Sequence, residues 1–271
     1  MRRVRRERYA ERDRSLPANT AVSLQAGAAP PVPGYDVTKI RAIFLDLDDT
    51  ILDFGRAEAS ALRRVLTEEG ILAGDPVLAR YHDINAAQWV LLEEGQITRP
   101  QVLIRRFDIL FDELGITGDP EAVCERYEEY LAEKVWFVPG AEALLEALAP
   151  RYDLYIASNG TAAVQHRRLA AAGIGKYVQK VFISQEMGAD KPSPAFFDAC
   201  FAAIPGLSRQ EALMVGDSLT SDIRGGRNAG MAACWFNPQK KPRRKDICPD
   251  LEIYSLEELP RLLAGERSDP I

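Results

Sequence analysis

Asp46, Asp48 and Thr50 fall in the stretch Asp46-Leu47-Asp48-Asp49-Thr50, directly behind the apolar run Ala42-Ile43-Phe44-Leu45. A short, bounded apolar run of this kind reads as a strand buried in a parallel sheet. Carboxylates crowded at the end of a buried strand raise one another's pKa values unless something neutralises them. A hard divalent cation such as Mg2+, which takes oxygen ligands, would do so. Other polar groups follow later apolar runs. Ser158-Asn159-Gly160 follows Leu154-Tyr155-Ile156-Ala157, and Lys191-Pro192 follows Val181-Phe182-Ile183 after a short loop. Gly216-Asp217, with Asp222 beyond it, follows Ala212-Leu213-Met214-Val215. In a parallel sheet these C-terminal edges share one side, where open α/β folds bind ligands. Carboxylates, hydroxyl and ammonium would therefore meet in one pocket.

Taken singly, each segment has a plainer explanation. Asp48-Asp49-Thr50 would serve as a helix N-cap, and Gly216-Asp217-Ser218 as a strand-to-helix turn with Asp as cap. Ser158-Asn159-Gly160 has the composition of a turn needing positive φ. Lys191-Pro192 alone carries almost no information. Their order behind successive strands is what favours a site.

The elements that must position these groups are an alternation of short strands and helices. Strands are expected near 41–46, 154–157, 181–183, 212–215 and 232–235. Between them lie an Ala/Leu/Arg helix over 162–172 stopped by Gly173, a helix begun by Pro194, and capping boxes at Ser208-x-x-Glu211 and Ser255-x-x-Glu258. This alternation specifies a doubly wound α/β fold with a parallel five-stranded sheet. Between the first two strands the pattern is helix after helix: 56–69 ended by Gly70, a second from Asp75-Pro76 to near Gly95, a third capped by Thr98-x-x-Gln101 and ended by Gly115, and a fourth from Asp119-Pro120. The third presents Val102, Leu103, Phe107, Leu110, Phe111 and Leu114 on one face. The expected organisation is a core over 39–54 and 137–271, a helical cap over 55–136 placed to act as a lid, and a disordered basic extension over 1–38. That extension would also fit a start codon placed too far upstream.

Composition narrows the function. The chain has 271 residues and a net charge of −6. Residues 1–40 carry eight basic and four acidic side chains, net +4, so the remainder stands at −10. An acidic body is a poor partner for nucleic acid, which demands positive surface. No apolar stretch is long enough to span a membrane. Four scattered cysteines without CxxC spacing argue against a disulfide framework or zinc site and for a cytoplasmic protein. Two histidines leave little room for a Ser-His-Asp hydrolase.

The segments together resemble the haloacid dehalogenase superfamily of phosphohydrolases. Its DxDxT motif matches Asp46 to Thr50, its second motif the strand ending in Ser158, its third Lys191, and its GDxxxD motif, with one residue of play, Gly216-Asp217 through Asp222. The resemblance covers 41–265 and implies a Rossmann-like core with the insert as cap. It implies that Asp46 is the nucleophile, forming an aspartyl-phosphate, and that Asp48 is the acid and then the base. It implies Mg2+ held by Asp46, the Asp48 backbone carbonyl and Asp217, with Asp222 acting through metal-bound water. Ser158, Asn159 and Lys191 would hold phosphate oxygens. Thr50 would bond locally and steady the Asp48 loop, and Asp49 would cap rather than react. An acid at Asp48 favours ester cleavage over dehalogenation, because halide leaves without a proton.

For substrate, Asn85-x-x-x-Trp89, Leu92 through Thr98 and Arg106-Phe107 resemble the branch that removes the 5′-phosphate of pyrimidine and noncanonical nucleoside monophosphates. Trp89 would stack a base, unless it is simply core. Arg106 would reach a phosphate or sugar, unless it is a surface ion pair. The alternatives are a sugar-phosphate phosphatase of the N-acylneuraminate-9-phosphatase or phosphoglycolate phosphatase type and, from another class, a nucleic-acid-binding module using the Arg-rich tail. The basic run Lys240 to Lys245 is either a solvated loop or a steering patch for anions. The expected partner is a small-molecule phosphate ester, and the expected state a monomer or homodimer.

Overall fold

In the computed structural model, which describes residues 36–265, a short turn over Val37–Lys39, capped by Asp36, leads into the first strand. Most of the stretch read as a basic extension lies outside the described residues. Among the described residues six parallel strands form one sheet: β1 Ala42–Leu45, β2 Asp153–Ser158, β3 Lys180–Ile183, β4 Ala212–Gly216, β5 Ala232–Phe236 and β6 Leu251–Ile253. Their order is β3-β2-β1-β4-β5-β6. The order reverses between β1 and β4, and this switch point is where doubly wound sheets open a crevice at their C-terminal edges. Asp46 and Asp217 follow the two strands on either side of it.

Five strands fall where the apolar runs predict them. The sixth is an addition at the sheet edge: it is three residues long, only Ile253 is buried, and it offers too little pattern to read. The strands are apolar on both faces because both faces are covered. Ile43 and Leu45 pack with Leu144, Leu145 and Leu148 of α5 (Ala141–Leu148), a helix that no cap signal announced. Ala42 and Phe44 point the other way, into Phe196, Phe197 and Cys200 of α8 (Pro194–Ala202).

Four helices lie between β1 and β2: α1 Phe54–Glu68, α2 Asp75–Glu93, α3 Arg99–Leu114 and α4 Pro120–Leu131. They bury a core of their own around Leu62, Tyr81, Phe107, Phe111 and Tyr127. Their ends obey local chemistry. Thr98 and Gln101 close a reciprocal capping box, Asp119 accepts from Glu121 N and Ala122 N, and Gly115 takes the left-handed conformation that ends α3. Leu114 departs from the expected apolar face, being 40% exposed at the last turn. The two connections run side by side: Leu52 bridges Phe137, Asp53 N donates to Trp136 O at 2.8 Å, and Val138 N donates to Ile51 O at 3.0 Å. The insert is thus rooted beside the loop that carries Asp48. No helix among the described residues is long and apolar enough to cross a membrane.

Candidate active site

Asp46 continues β1 into the crevice, its N–H donating to Val215 O at 2.9 Å. Across the switch point, carboxylate oxygens of Asp46, Asp217 and Asp222 all lie within 4.8 Å of one another. Lys191 enters from the loop after β3. It is 1% exposed, and its Nζ donates to Asp46 Oδ1 (2.6 Å), Asp222 Oδ1 (2.7 Å) and Ala157 O (2.6 Å). All three of its protons are engaged, so holding a phosphate oxygen requires exchanging one partner. Asp222 is fully buried, its second oxygen accepting from Ser218 N at 3.0 Å. Gly216 makes this approach possible, since a Cβ there would stand 2.1 Å from Asp222 Oδ2.

The charges conflict as the sequence foreshadows. Burial pushes the Asp46 carboxyl well above its ordinary range; Lys191 pulls it back, and Asp222 and Asp48 push it further. Burial likewise raises Asp217, reinforced by Asp222, Asp46 and Asp49. On Lys191 burial acts downward, but Asp222 and Asp46 outweigh it and the ammonium is held more firmly than usual. Oxygen ligands around Mg2+ stand about 2.1 Å from the ion and so up to about 4 Å apart. Three carboxylates within 4.8 Å of one another, slightly wider than direct ligands alone would stand, with one lysine against them, suit a hard divalent cation that some of them would reach through water.

Ser158, at the end of β2, is buried, and its Oγ accepts from Gln165 Nε2 (2.8 Å) and Gly160 N (3.2 Å), which leaves its own proton to donate. Asn159 has a task that its sequence context did not announce. Its amide bonds both sides of the Lys191 main chain, donating to Lys191 O and accepting from Lys191 N at 2.8 Å each. The side chain fixes the lysine loop, and one N–H of its amide remains beyond these two bonds. Thr50 differs from expectation: it is fully buried, but its Oγ1 has no hydrogen-bond partner among the described residues, so packing rather than a local bond holds it. Asp49 does cap. Its φ is +56°, and its Oδ1 accepts from Phe54 N (2.9 Å) and Gly55 N (3.2 Å) at the start of α1.

Asp48 is held by two residues that sequence reading missed, Gln165 and Arg168 of α6 (Ala162–Ala171). Both belong to the inward stripe that also carries Val164 and Leu169, where polar residues are out of place; that was the available signal.

The insert closes over this edge. A cavity of about 200 Å³ is lined by Asp46, Asp48, Ser158, Lys191 and Asp217 below and by Trp89, Glu93 and Arg106 above. Trp89 is half-buried, its Nε1 donating to Asn85 Oδ1 at 3.1 Å. Arg106 is no surface ion pair: it is 2% exposed, donates to the same Asn85 oxygen at 3.1 Å and lies over the Tyr127 ring. Glu93, from the Leu92 to Thr98 stretch, also faces the cavity, and burial raises its carboxyl to about 6. Arg99, at the start of α3, reaches down to Gly160 O (2.9 Å) and to Ser184 and Asp190, gripping the loops that bear Ser158 and Lys191. The run Lys240 to Lys245 is exposed, and its Arg243 and Arg244 pair with Glu252 and Asp246.

Known proteins are similar to this chain in sequence and fold. A model of haloacid dehalogenase-like hydrolases matches residues 40–230. YfnB of Bacillus subtilis (strain 168) is 39% identical over 230 residues, 85% of this chain and 98% of YfnB. Its magnesium-bound crystal structure aligns with a TM-score of 0.80, over 83% of this chain and 98% of that one. The pyrimidine 5′-nucleotidases PynA of Streptococcus pneumoniae and YjjG of Escherichia coli are 39% and 33% identical, covering 80% and 82% of this chain and 92% and 96% of their own. With its motif residues gathered at the switch point of a matching fold, the chain belongs to the haloacid dehalogenase-like hydrolases.

Proposed function

We propose that this enzyme is a Mg2+-dependent phosphomonoesterase acting on pyrimidine and noncanonical nucleoside 5′-monophosphates. The observation that carries the phosphatase reading is the meeting of three carboxylates within 4.8 Å with Lys191 and Ser158 at one sheet edge. Asp46 Oδ attacks phosphorus, the new O–P bond forms, and the ester P–O bond breaks with its electron pair going to the leaving oxygen. Asp48 gives that oxygen a proton. It then takes one from the water that attacks the aspartyl-phosphate, releasing inorganic phosphate and restoring Asp46. Ser158 donates to a phosphate oxygen. Lys191 holds Asp46 and Asp222 in place and exchanges one contact for phosphate. Asp46, Asp217 and the Asp48 carbonyl would hold Mg2+, with Asp222 reaching it through water; when bound, the ion supplies positive charge against the charge of the transferring group.

The nucleotide preference draws on Trp89, whose indole is anchored by Asn85 at the roof of the cavity, and on the two nucleotidases at 39% and 33% identity. An aromatic face suits a base, since every base offers a π-face for stacking. The test is phosphate release from UMP, dUMP, dTMP and a panel of sugar phosphates with Mg2+, run beside Asp46→Asn. Release from the nucleotides that vanishes in the variant supports the proposal. Sugar phosphates cleaved without any release from the three nucleotides would reject the substrate class while keeping the chemistry.

A further inference from the structure

Two side chains of α6 that no motif marks both end on Asp48. Gln165 and Arg168 are each 1% exposed. Gln165 Nε2 donates to Asp48 Oδ2 (2.7 Å) and Ser158 Oγ (2.8 Å), while Arg168 Nη1 donates to Asp48 Oδ1 and to Gln165 Oε1 (2.9 Å). Each Asp48 oxygen therefore has its own donor, and the two donors brace each other. The backbone is fitted to them as well. A Cβ on Gly160 would lie 2.4 Å from Gln165 Nε2 and 2.5 Å from its Cδ, so the glycine leaves the space that the glutamine fills.

Stability alone is a poor reason for this arrangement. Nε and Nη2 of Arg168 are buried without a hydrogen-bond partner among the described residues. Unpaired buried donors are costly, and a buried ion pair is often matched or bettered by an apolar side chain of similar volume. Local rules are broken in this way where a site, rather than the core, requires the group.

We propose that Gln165 and Arg168 are positioning residues that aim the Asp48 carboxyl at the leaving oxygen and so set how well the enzyme cleaves esters of weakly acidic alcohols. The inference deepens the phosphatase reading and rests on Asp48 donating the proton as the ester P–O bond breaks. An alkoxide leaves only with a proton, whereas p-nitrophenolate leaves without one. A misaimed Asp48 therefore penalises alkyl esters selectively. An ion pair that merely holds the fold would affect both esters alike.

The experiment compares Arg168→Met and Gln165→Met with the wild type in Mg2+, using p-nitrophenyl phosphate and the best-cleaved alkyl phosphate of the panel. The quantity is kcat/KM, which reports steps through phosphoryl transfer to Asp46. The expected result is a fall of about ten- to a hundredfold on the alkyl ester and under about threefold on the aryl ester. Asp48→Asn shows the same selective pattern, and Asp48→Asn/Arg168→Met falls no further than Asp48→Asn. Gln165→Met removes no charge from the interior and keeps the test alive if Arg168→Met fails to fold. Equal losses on both esters, or none, in a folded variant overturn the inference while Asp48→Asn remains selective. A wild type that cleaves neither ester overturns the phosphatase reading beneath it, and an Asp48→Asn without selectivity overturns the acid role that reading gives Asp48.

Discussion

Replacing Lys191 with Met tests the electrostatics of the site. The ammonium is the buried cation that Asp46 and Asp222 share, at 2.6 and 2.7 Å, and it also satisfies Ala157 O. Met matches much of its volume, so packing is roughly kept while the charge is lost. Breaking a buried pair by removing one partner costs about 3–5 kcal/mol. At about 2–4 °C per kcal/mol for a protein of this size, Tm should fall on the order of 10 °C near pH 8. The loss should depend on pH. Burial already raises the Asp46 carboxyl, and without the lysine it rises further. A carboxyl whose folded pKa exceeds its unfolded value of about 4 binds more protons when folded, so acidification from neutral pH favours the folded state. The deficit of Lys191→Met should therefore shrink between pH 8 and pH 5.5. Mg2+ should raise the Tm of the variant more than that of the wild type, because the ion supplies the missing charge. Thermal melts at the two pH values, with Mg2+ and with EDTA, measure all of this. A Tm deficit that is the same at both pH values and indifferent to Mg2+ would refute the reasoning.

Gly216→Ala should displace Asp222, because its Cβ would stand 2.1 Å from Oδ2 and 2.3 Å from Cγ; thermal melts should show a loss of about 1–3 kcal/mol, with kcat falling alongside. Trp89→Ala should raise KM for UMP about five- to a hundredfold while leaving a small aryl phosphate nearly unaffected, as expected for a stacking contact of about 1–3 kcal/mol; equal effects on both would make Trp89 structural. Arg99→Met should lower kcat/KM about tenfold by releasing the loops of Ser158 and Lys191, with a Tm change of only a few degrees.

Much of the sheet was legible because most of its strands are short buried apolar runs, with Asp46, Ser158 and Asp217 at or directly behind the ends of β1, β2 and β4 and Lys191 a short connection beyond β3. That is why Asp46, Ser158, Lys191 and Asp217 could be placed at one edge before any geometry was known. The insert was legible for a different reason: Thr98, Gln101, Asp119 and Gly115 are local signals, and helices obey local signals. What sequence missed depends on tertiary contact. Strand β6 is three residues at an edge, and its pairing with β5, not its composition, defines it. Nothing in the first turn of α3 says that Arg99 crosses to the core, nor that Asn159 turns its amide onto the Lys191 backbone. Arg168 sits beside Arg167, and only the helix's rotation buries one and exposes the other. Of the two readings of Arg106, the surface ion pair follows from charge being usually outside; the ring of Tyr127 and the amide of Asn85 make it an interior residue at the cavity instead.

The central claim is that Asp46 takes the phosphoryl group. The most direct measurement uses Asp48→Asn with p-nitrophenyl phosphate and Mg2+, since this ester needs no acid to leave but the aspartyl-phosphate then lacks its base. Rapid mixing should give a burst of p-nitrophenol near one equivalent per site. Acid quench after labelled substrate should give a hydroxylamine-sensitive label that maps to the peptide bearing Asp46 and is absent from Asp46→Asn. Label on another residue, or turnover that survives in Asp46→Asn, would contradict the account.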